Sequence, residues 1–114
     1  MNKRLSTRYY SKTQEKQIAE TINGKPTPNS GATKYQKGDV STPGHGEDSW
    51  LIEAKTCMQA KQSFAIKKQW LETIKEEAFQ AGKMNYCLAF NFGPNQPNYY
   101  ILSEDKFKQL FGEE

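Results

Sequence analysis

The apolar residues of this chain fall into short patterned stretches that are separated by polar segments rich in glycine and proline. From Ser11 to about Ile22 they recur at helical spacing, and Asn23-Gly24 follows as a stop, which predicts a first helix. A second helix is predicted from about Lys67 to Ala81, where the apolar positions form one stripe that ends before Gly82. Ser103 is a suitable cap for a short third helix, whose apolar side is expected to face inward.

Four further stretches have the composition and spacing of β-strands. Gly38-Asp39-Val40 enters a short strand, and Trp50 to Thr56 forms the next one. Met84 to Phe92 and Tyr99 to Leu102 are joined by a turn, so they predict a hairpin. The predicted order is α-β-β-α-β-β-α, with room for one more short strand, which is an α/β fold with a mixed β-sheet flanked by helices.

Alternation along the strand from Trp50 to Thr56 places two charged side chains together. Because residues i and i+2 share a face, Glu53 and Lys55 lie on the same side of the strand, while the opposite side is apolar. Two charges at a strand end are costly unless they have partners. A salt bridge between sheet and helix is a structural explanation, and a catalytic site is a functional one.

The chain has 114 residues, which suit one hydrophobic core, and we predict a basic N-terminal arm over residues 1–12 and a single domain over 13–112. Its net charge of +3 is uneven, with +5 up to Val40 and −2 beyond it. The basic residues up to Val40 would attract a polyanionic substrate. The alternative is that they belong to an ordinary solvated surface. Neither a secretory signal nor a membrane-spanning run is visible, so we expect a cytoplasmic location (the host cytoplasm for a phage-encoded protein).

The sequence offers carboxylates rather than thiols or imidazoles as metal ligands. Two cysteines, Cys57 and Cys87, do not form a disulfide framework, and we expect both to be free thiols. A zinc site is disfavoured because His45 is the only histidine and no CxxC pair is present. Hard cations that prefer carboxylate oxygens remain the candidate metals.

A divalent-metal site can be built from the acids near the two central strands. Asp39 and Glu53, on neighbouring predicted strands, can share one or two Mg²⁺ or Mn²⁺ ions, with the backbone carbonyl of Ala54 as a further ligand. Such an ion activates water and polarises a phosphate, while Lys55 can stabilise developing negative charge. Glu15 can complete the ligand set from the first helix, although its spacing also fits a solvated acid near a helix N-terminus.

Basic residues around these acids are candidates for contacts with nucleic acid. Lys67 and Lys68 near the start of the second helix suit a docked anion, or are simple surface lysines. The aromatic pair Tyr9-Tyr10 after a basic residue suits unstacked bases, or packs on a core or a second subunit. The predicted DNA-binding residues, including those of the polar loop before the first strand, are Arg8, Ser30, Lys34, Lys37, Lys67 and Lys68.

These segments resemble the PD-(D/E)xK nuclease superfamily and, within it, the archaeal-type Holliday junction resolvases and their phage relatives. The resemblance implies a restriction-endonuclease-like core in which Glu15, Asp39, Glu53 and Lys55 form the metal-binding catalytic centre. It also implies that Ser30 lies on a mobile loop near the scissile phosphate. The matching segments are Gln14-Glu15-Lys16, Asn29-Ser30-Gly31-Ala32, Lys37-Gly38-Asp39-Val40 (with Gly38 where the motif has proline), Leu51-Ile52-Glu53-Ala54-Lys55 and Ser63-Phe64-Ala65-Ile66.

The function that the resemblance implies is a Mg²⁺-dependent, structure-selective DNA endonuclease, a Holliday junction resolvase in recombination or replication, with Mn²⁺ able to substitute. It implies branched or duplex DNA as the partner, and a homodimer, since a four-way junction has two-fold symmetry. No membrane and no organic cofactor are expected. Three alternatives stay open: a nuclease of the same fold in phage DNA degradation, restriction or repair; a non-catalytic DNA-binding protein on that fold; and an interaction domain whose acids form surface ion pairs.

Overall fold

The computed structural model describes residues 7–27 and 38–112, which form a five-stranded mixed β-sheet and three helices, so the predicted mixed α/β class is confirmed. The strands follow one another in the order β1-β2-β3-β4-β5; β3 and β4 are parallel, and the other neighbours are antiparallel. Within these ranges no helix is long and apolar enough to cross a membrane. The elements are α1 Thr7–Ile22, β1 Lys25–Pro26, β2 Val40–Ser41, β3 Trp50–Lys55, α2 Lys68–Gln80, β4 Asn85–Phe90, β5 Tyr99–Ile101 and α3 Glu104–Leu110.

Helix α1 begins about one turn earlier than predicted. Neither Ser11 nor Thr13 caps it, because both lie inside the helix and the Thr13 hydroxyl donates to the carbonyl of Tyr9 at 2.9 Å. Its end is as predicted, since Asn23 has a left-handed φ of 56° that ends the helical path. The earlier start places the two adjacent tyrosines on α1 rather than in an arm that precedes it.

The core consists of two hydrophobic clusters, one on each face of the sheet. On one face Ile52 of β3 packs in a cluster with Ile18 of α1. On the other face Leu51 packs in a cluster with Ile74 and Ala78 of α2. Because neighbouring residues of β3 face different helices, the alternation predicted for this strand is confirmed, and the sheet lies between α1 and α2.

The apolar residues of α3 were predicted to face inward, and this prediction is wrong. Phe107, Leu110 and Phe111 are all exposed, Phe111 by 72%, and α3 has no buried residue. The hydrophobic cluster on the α1 face extends to Leu102, which precedes the helix, and no layer formed by residues 7–27 or 38–112 covers the apolar side of α3. The predicted cap is confirmed, because the Ser103 hydroxyl accepts a hydrogen bond from a backbone N–H of the first turn.

Both cysteines are free, as predicted. Cys87 lies in β4 within the buried cluster on the α1 face. Burial raises the pKa of its thiol to about 12, because the apolar surroundings disfavour the thiolate. Cys87 is therefore a core residue.

Gly38, next to the candidate catalytic Asp39, lies too close to the core to carry a side chain. A Cβ atom here would be 2.5 Å from Cγ of the fully buried Leu51. We expect Gly38→Ala to lower the free energy of unfolding by about 1 to 3 kcal/mol, since the core must shift to admit the methyl group. Urea denaturation measures this change. Gly46→Ala is the control, because nothing lies within 4 Å of its Cβ position, and equal losses in the two variants would contradict the explanation.

Candidate active site

Backbone hydrogen bonds hold Asp39 beside the last residues of β3. The Asp39 N–H donates to the carbonyl of Ile52 at 2.9 Å, which extends the pairing of β2 with β3. The N–H of Ala54 donates to Oδ2 of Asp39, also at 2.9 Å. The Asp39 carboxylate is therefore fixed next to Glu53 and Lys55, and the two predicted metal-binding acids lie on adjacent backbone segments.

Glu53 and Lys55 form an ion pair on the face of the sheet that α2 covers. The Lys55 ammonium lies 3.3 Å from Oε2 of Glu53 and 4.4 Å from the ring centroid of Trp70, in the first turn of α2. An aromatic face attracts a cation by its quadrupole, so Trp70 restrains the ammonium as well as covering it. The predicted pairing of acid and base on one face is confirmed, and the helix adds an aromatic ring to it.

Burial and repulsion raise the pKa values of the two acids at this strand end. The pKa of Glu53 rises from 4.5 to about 7, first because the group is desolvated and second because Asp39 is negatively charged. Burial also raises the pKa of Asp39, against the opposing effects of the Ala54 N–H and the Lys55 charge. The two carboxyl groups share a hydrogen bond, so they titrate as a coupled pair.

Glu15 reaches the same charge cluster from α1. Its side chain is partly buried, and its pKa rises to about 7 through desolvation and through the negative charge of Asp39. Lys12 and Arg8, one and two turns earlier on α1, oppose this rise. The structure therefore brings Glu15 and Arg8 into electrostatic contact with the predicted catalytic residues, although Arg8 itself is exposed.

The donor set fits a hard divalent cation in chemical type. Asp39 and Glu53 supply adjacent carboxyl groups whose pKa values are raised chiefly by burial, and a bound cation would offset the cost of ionising them. Among the residues that the structure describes, no group of three or more His, Cys, Asp or Glu side chains is close enough together to hold a metal ion. The arrangement is thus a carboxylate pair, with Glu15 interacting electrostatically with one member.

The two predicted phosphate-binding lysines of α2 have different surroundings. Lys67 is the N-cap residue of α2, and its ammonium lies 5.8 Å from the same Trp70 ring that Lys55 covers. Lys68 is highly exposed and forms a loose ion pair with Glu72, at 3.9 Å. The structure therefore brings Lys67 to the candidate site and leaves Lys68 on the outer side of the helix. Three further predicted contacts lie outside the described residues, namely Ser30, Lys34 and Lys37.

Gln14 belongs to a segment that carries the resemblance, but no role for its own side chain was predicted from the sequence. It is buried, and its Nε2 donates to the carbonyl of Lys55 at 2.7 Å and to Oδ1 of Asn98 at 3.2 Å. It thereby ties α1, next to Glu15, to the end of β3. A signal was present: Gln14 precedes Ile18 by four residues, so a polar group occupies the apolar stripe of α1.

Replacement of Gln14 tests this connection. We expect Gln14→Met to lower the free energy of unfolding by about 1 to 2 kcal/mol, since the Lys55 carbonyl loses its short hydrogen bond. Urea denaturation measures the loss. Gln17→Met is the matched control, because Gln17 is exposed and lies one turn further along the same helix. Equal stability of wild type and Gln14→Met would contradict the role assigned to this hydrogen bond.

Trp70 and Glu77 of α2 also affect the site in ways that their sequence pattern did not reveal. Trp70 was predicted as part of an apolar stripe, yet its ring contacts the Lys55 ammonium. Glu77 contributes to the raised pKa of Glu53. Both effects depend on how α2 lies across β3, so only the tertiary structure reveals them.

Comparisons of the chain with protein-family models, with curated proteins and with solved structures gave no match. Functional inference for this protein therefore depends on its own residues. Those at the end of β3 are a restrained lysine and two carboxyl groups whose pKa values are raised by burial.

Proposed function

We propose that the protein is a metal-dependent DNA endonuclease with a restriction-endonuclease-like core of the PD-(D/E)xK type. The observation that carries the proposal is the convergence of Asp39, Glu53 and Lys55 at one strand end, with raised carboxyl pKa values. Perturbed titratable groups that cluster with a cation are typical of catalytic sites. Two acids and a lysine are also the groups that hydrolysis of a phosphodiester requires from a protein that holds a divalent ion.

Mg²⁺ is the proposed cofactor, with Mn²⁺ as a substitute. Asp39 and Glu53 would hold the ion through their carboxylates, with the carbonyl of Ala54 and the carboxylate of Glu15 as the proposed additional ligands. When bound, the ion acts as a Lewis acid on the phosphodiester and lowers the pKa of a coordinated water. A bound ion would favour the ionised form of both carboxyl groups, because a metal ion is held by carboxylates and not by carboxylic acids.

The protein itself contributes positioning and charge. Lys55 is restrained by Glu53 and by the Trp70 ring, so its ammonium is held ready to stabilise the negative charge that develops on the phosphate. The N–H of Ala54 fixes one oxygen of Asp39, which orients that carboxylate in advance. Preorganised groups of this kind stabilise the transition state without reorganisation.

The proposed path of the DNA backbone runs along the basic residues that surround the acids. Arg8 lies on the α1 side of the site beside Glu15, and Lys67 lies on the α2 side beside Trp70. Contacts of this type position the duplex and carry no sequence information. We propose that Ser30, Lys34, Lys37 and Lys68 add to this backbone contact, and that binding weakens steeply as the salt concentration rises.

Branched DNA, most of all a four-way junction, is the proposed substrate, which makes the protein a Holliday junction resolvase in recombination or replication. The test compares cleavage of a synthetic four-way junction and a linear duplex of matched sequence, both in Mg²⁺. We expect faster cleavage of the junction, with paired cuts at two-fold related positions. Equal cleavage rates on both substrates would contradict a resolvase and favour a nuclease of broader role. Binding without cleavage would favour a non-catalytic DNA-binding protein.

Paired cuts need two active sites, so we also propose a homodimer. The uncovered apolar side of α3, formed by Phe107, Leu110 and Phe111, is the surface proposed for contact with the second copy.

Sedimentation velocity tests the dimer. We expect wild-type protein to sediment as a dimer and Leu110→Glu to shift it to the monomer, because a charge placed in an apolar interface is costly to bury. Lys108→Glu is the control, since Lys108 belongs to the same helix but not to its apolar side. A monomeric wild type, or a Leu110→Glu variant that remains dimeric, would contradict this interface.

A further inference from the structure

A pocket of about 160 Å³ lies between α1 and the turn that joins β4 to β5. The described residues that line it carry aromatic, amide or hydroxyl groups, with one proline, and none of them is acidic or basic. A cavity of about 150 Å³ is large enough for a benzene ring. The pocket therefore suits a neutral, planar group about the size of one aromatic ring.

Two adjacent tyrosines form the aromatic side of this pocket. Tyr9 and Tyr10 meet edge to face, with ring centroids 5.5 Å apart and planes at 79°. About half of Tyr9 is open to solvent, although the ring lines the pocket. Aromatic side chains in such positions stack on nucleobases of any identity, because every base has a π face.

Amide side chains form the polar side of the pocket. Two hydrogen bonds fix the orientation of the Asn91 amide, because its Oδ1 accepts from the Thr56 hydroxyl at 2.6 Å and from the Gly93 N–H at 3.2 Å. Gln17 and Asn95 each present a donor and an acceptor, which is what the edge of a nucleobase requires. Asn95 has a left-handed φ of 62°, a conformation that asparagine tolerates and that keeps its amide at this turn.

The pocket and the candidate active site meet at the end of β3. Thr56, which lines the pocket, directly follows Lys55. Gln14 lines the pocket as well, and it donates to the Lys55 carbonyl. The pocket opens on the α1 side of the sheet and the Lys55 side chain lies on the α2 side, so a nucleotide next to a phosphate bound at the site would reach this opening around the end of β3.

We infer that the pocket receives one unpaired nucleobase of the DNA substrate, adjacent to the phosphodiester that is cut. This inference rests on the proposed endonuclease function and gives it a source of structure selectivity. A branch point offers a base whose pairing is already broken, whereas an intact duplex must first be unpaired and unstacked. Uncharged stacking and amide contacts make the pocket sensitive to base availability, and its size suits a single-ring base best.

The test combines DNA junctions that lack one base with protein variants that change residues lining the pocket. Wild-type protein in Mg²⁺ is given four-way junctions that carry an abasic residue at each position within two nucleotides of the cut. We expect one position at which loss of the base slows single-turnover cleavage about tenfold, as the loss of one stacked base implies. Tyr9→Leu and Asn95→Gly should slow cleavage of the intact junction by a similar factor and no longer distinguish it from the abasic one.

Phe79→Leu is the matched control, because Phe79 is an exposed aromatic residue on α2 outside the pocket, and it should keep the wild-type discrimination. If no abasic position matters, or if both pocket variants still discriminate like wild type, the base pocket is refuted while the endonuclease stands. If wild-type protein cuts no DNA in Mg²⁺, the endonuclease and the pocket are both refuted. Should Tyr9→Leu fail to fold, Asn95→Gly decides, since it changes only an exposed turn residue.

Discussion

Replacing Glu53 with glutamine is expected to lower Mg²⁺-dependent DNA cleavage by at least about a hundredfold to a thousandfold and to leave DNA binding intact. Asp39→Asn should have the same effect. Each change keeps the size of the side chain but removes a negative charge that holds the cation. Because basic residues are the proposed contacts to the DNA backbone, loss of one acid should not weaken binding. Single-turnover cleavage and an electrophoretic binding assay, both on a four-way junction, measure the two effects.

The expected loss of cleavage by Glu53→Gln should not result from a loss of folding. Burial raises the pKa of Glu53 to about 7, so glutamine removes a charge that the metal-free folded protein disfavours. Glu53→Gln should therefore be at least as stable as wild type at pH 8 without metal. Glu72→Gln is the matched control, since Glu72 is an exposed acid that pairs only loosely on α2. If Glu53→Gln cleaves DNA at the same rate as Glu72→Gln, Glu53 has no role in catalysis.

The metal-free protein is expected to lose stability as the pH rises from about 5 to 8. Glu53 has a pKa of about 7 in the folded protein against 4.5 for a fully solvated glutamate, so between these values the folded state binds a proton that the unfolded chain has released. By linkage, the free energy of unfolding then falls as the pH rises through this window and levels off above about pH 7. A shift of this size corresponds to about 3 kcal/mol. Glu15 adds to the trend by a smaller amount, because its side chain is more exposed to solvent.

Urea denaturation at pH 5 and pH 8 in the presence of EDTA measures this loss. Mg²⁺ should restore most of the stability at pH 8, because the ion binds only the folded pair of carboxylates and offsets their charge. Glu53→Gln should show a flatter pH dependence and little response to Mg²⁺. A wild-type protein that is more stable at pH 8 than at pH 5 without metal would show that these carboxyl groups ionise normally.

Local sequence patterns were sufficient to predict the sheet and the two faces of its central strand. The alternation around Ile52 and the stripe that contains Ile74 reflect periodicities of 2.0 and 3.6 residues, which depend on the backbone alone. The acids of the site were predictable for a related reason. A charged pair such as Glu53 and Lys55 on a half-buried strand conflicts with local preference, and such conflicts mark functional positions.

Tertiary placement was not predictable from the same patterns. The amphipathic pattern of α3 is real, but whether a layer lies over Phe107 and Leu110 depends on where the core ends. The role of Gln14 depends on a partner 41 residues away in sequence, the Lys55 carbonyl. Because α1 starts earlier than predicted, Tyr9 belongs to this helix, and its side chain lines a pocket. Each of these features is a long-range contact that no local window contains.

The most direct test of the metal-dependent site adds the metal to a complex that is otherwise ready to react. Wild-type protein is bound to an end-labelled four-way junction in EDTA at pH 8, and excess Mg²⁺ is then added. We predict intact DNA before the addition and cleaved strands after it, with no cleavage when Glu53→Gln is treated in the same way. Cleavage in EDTA, or intact DNA after Mg²⁺ is added to the wild-type complex, would contradict the proposed function.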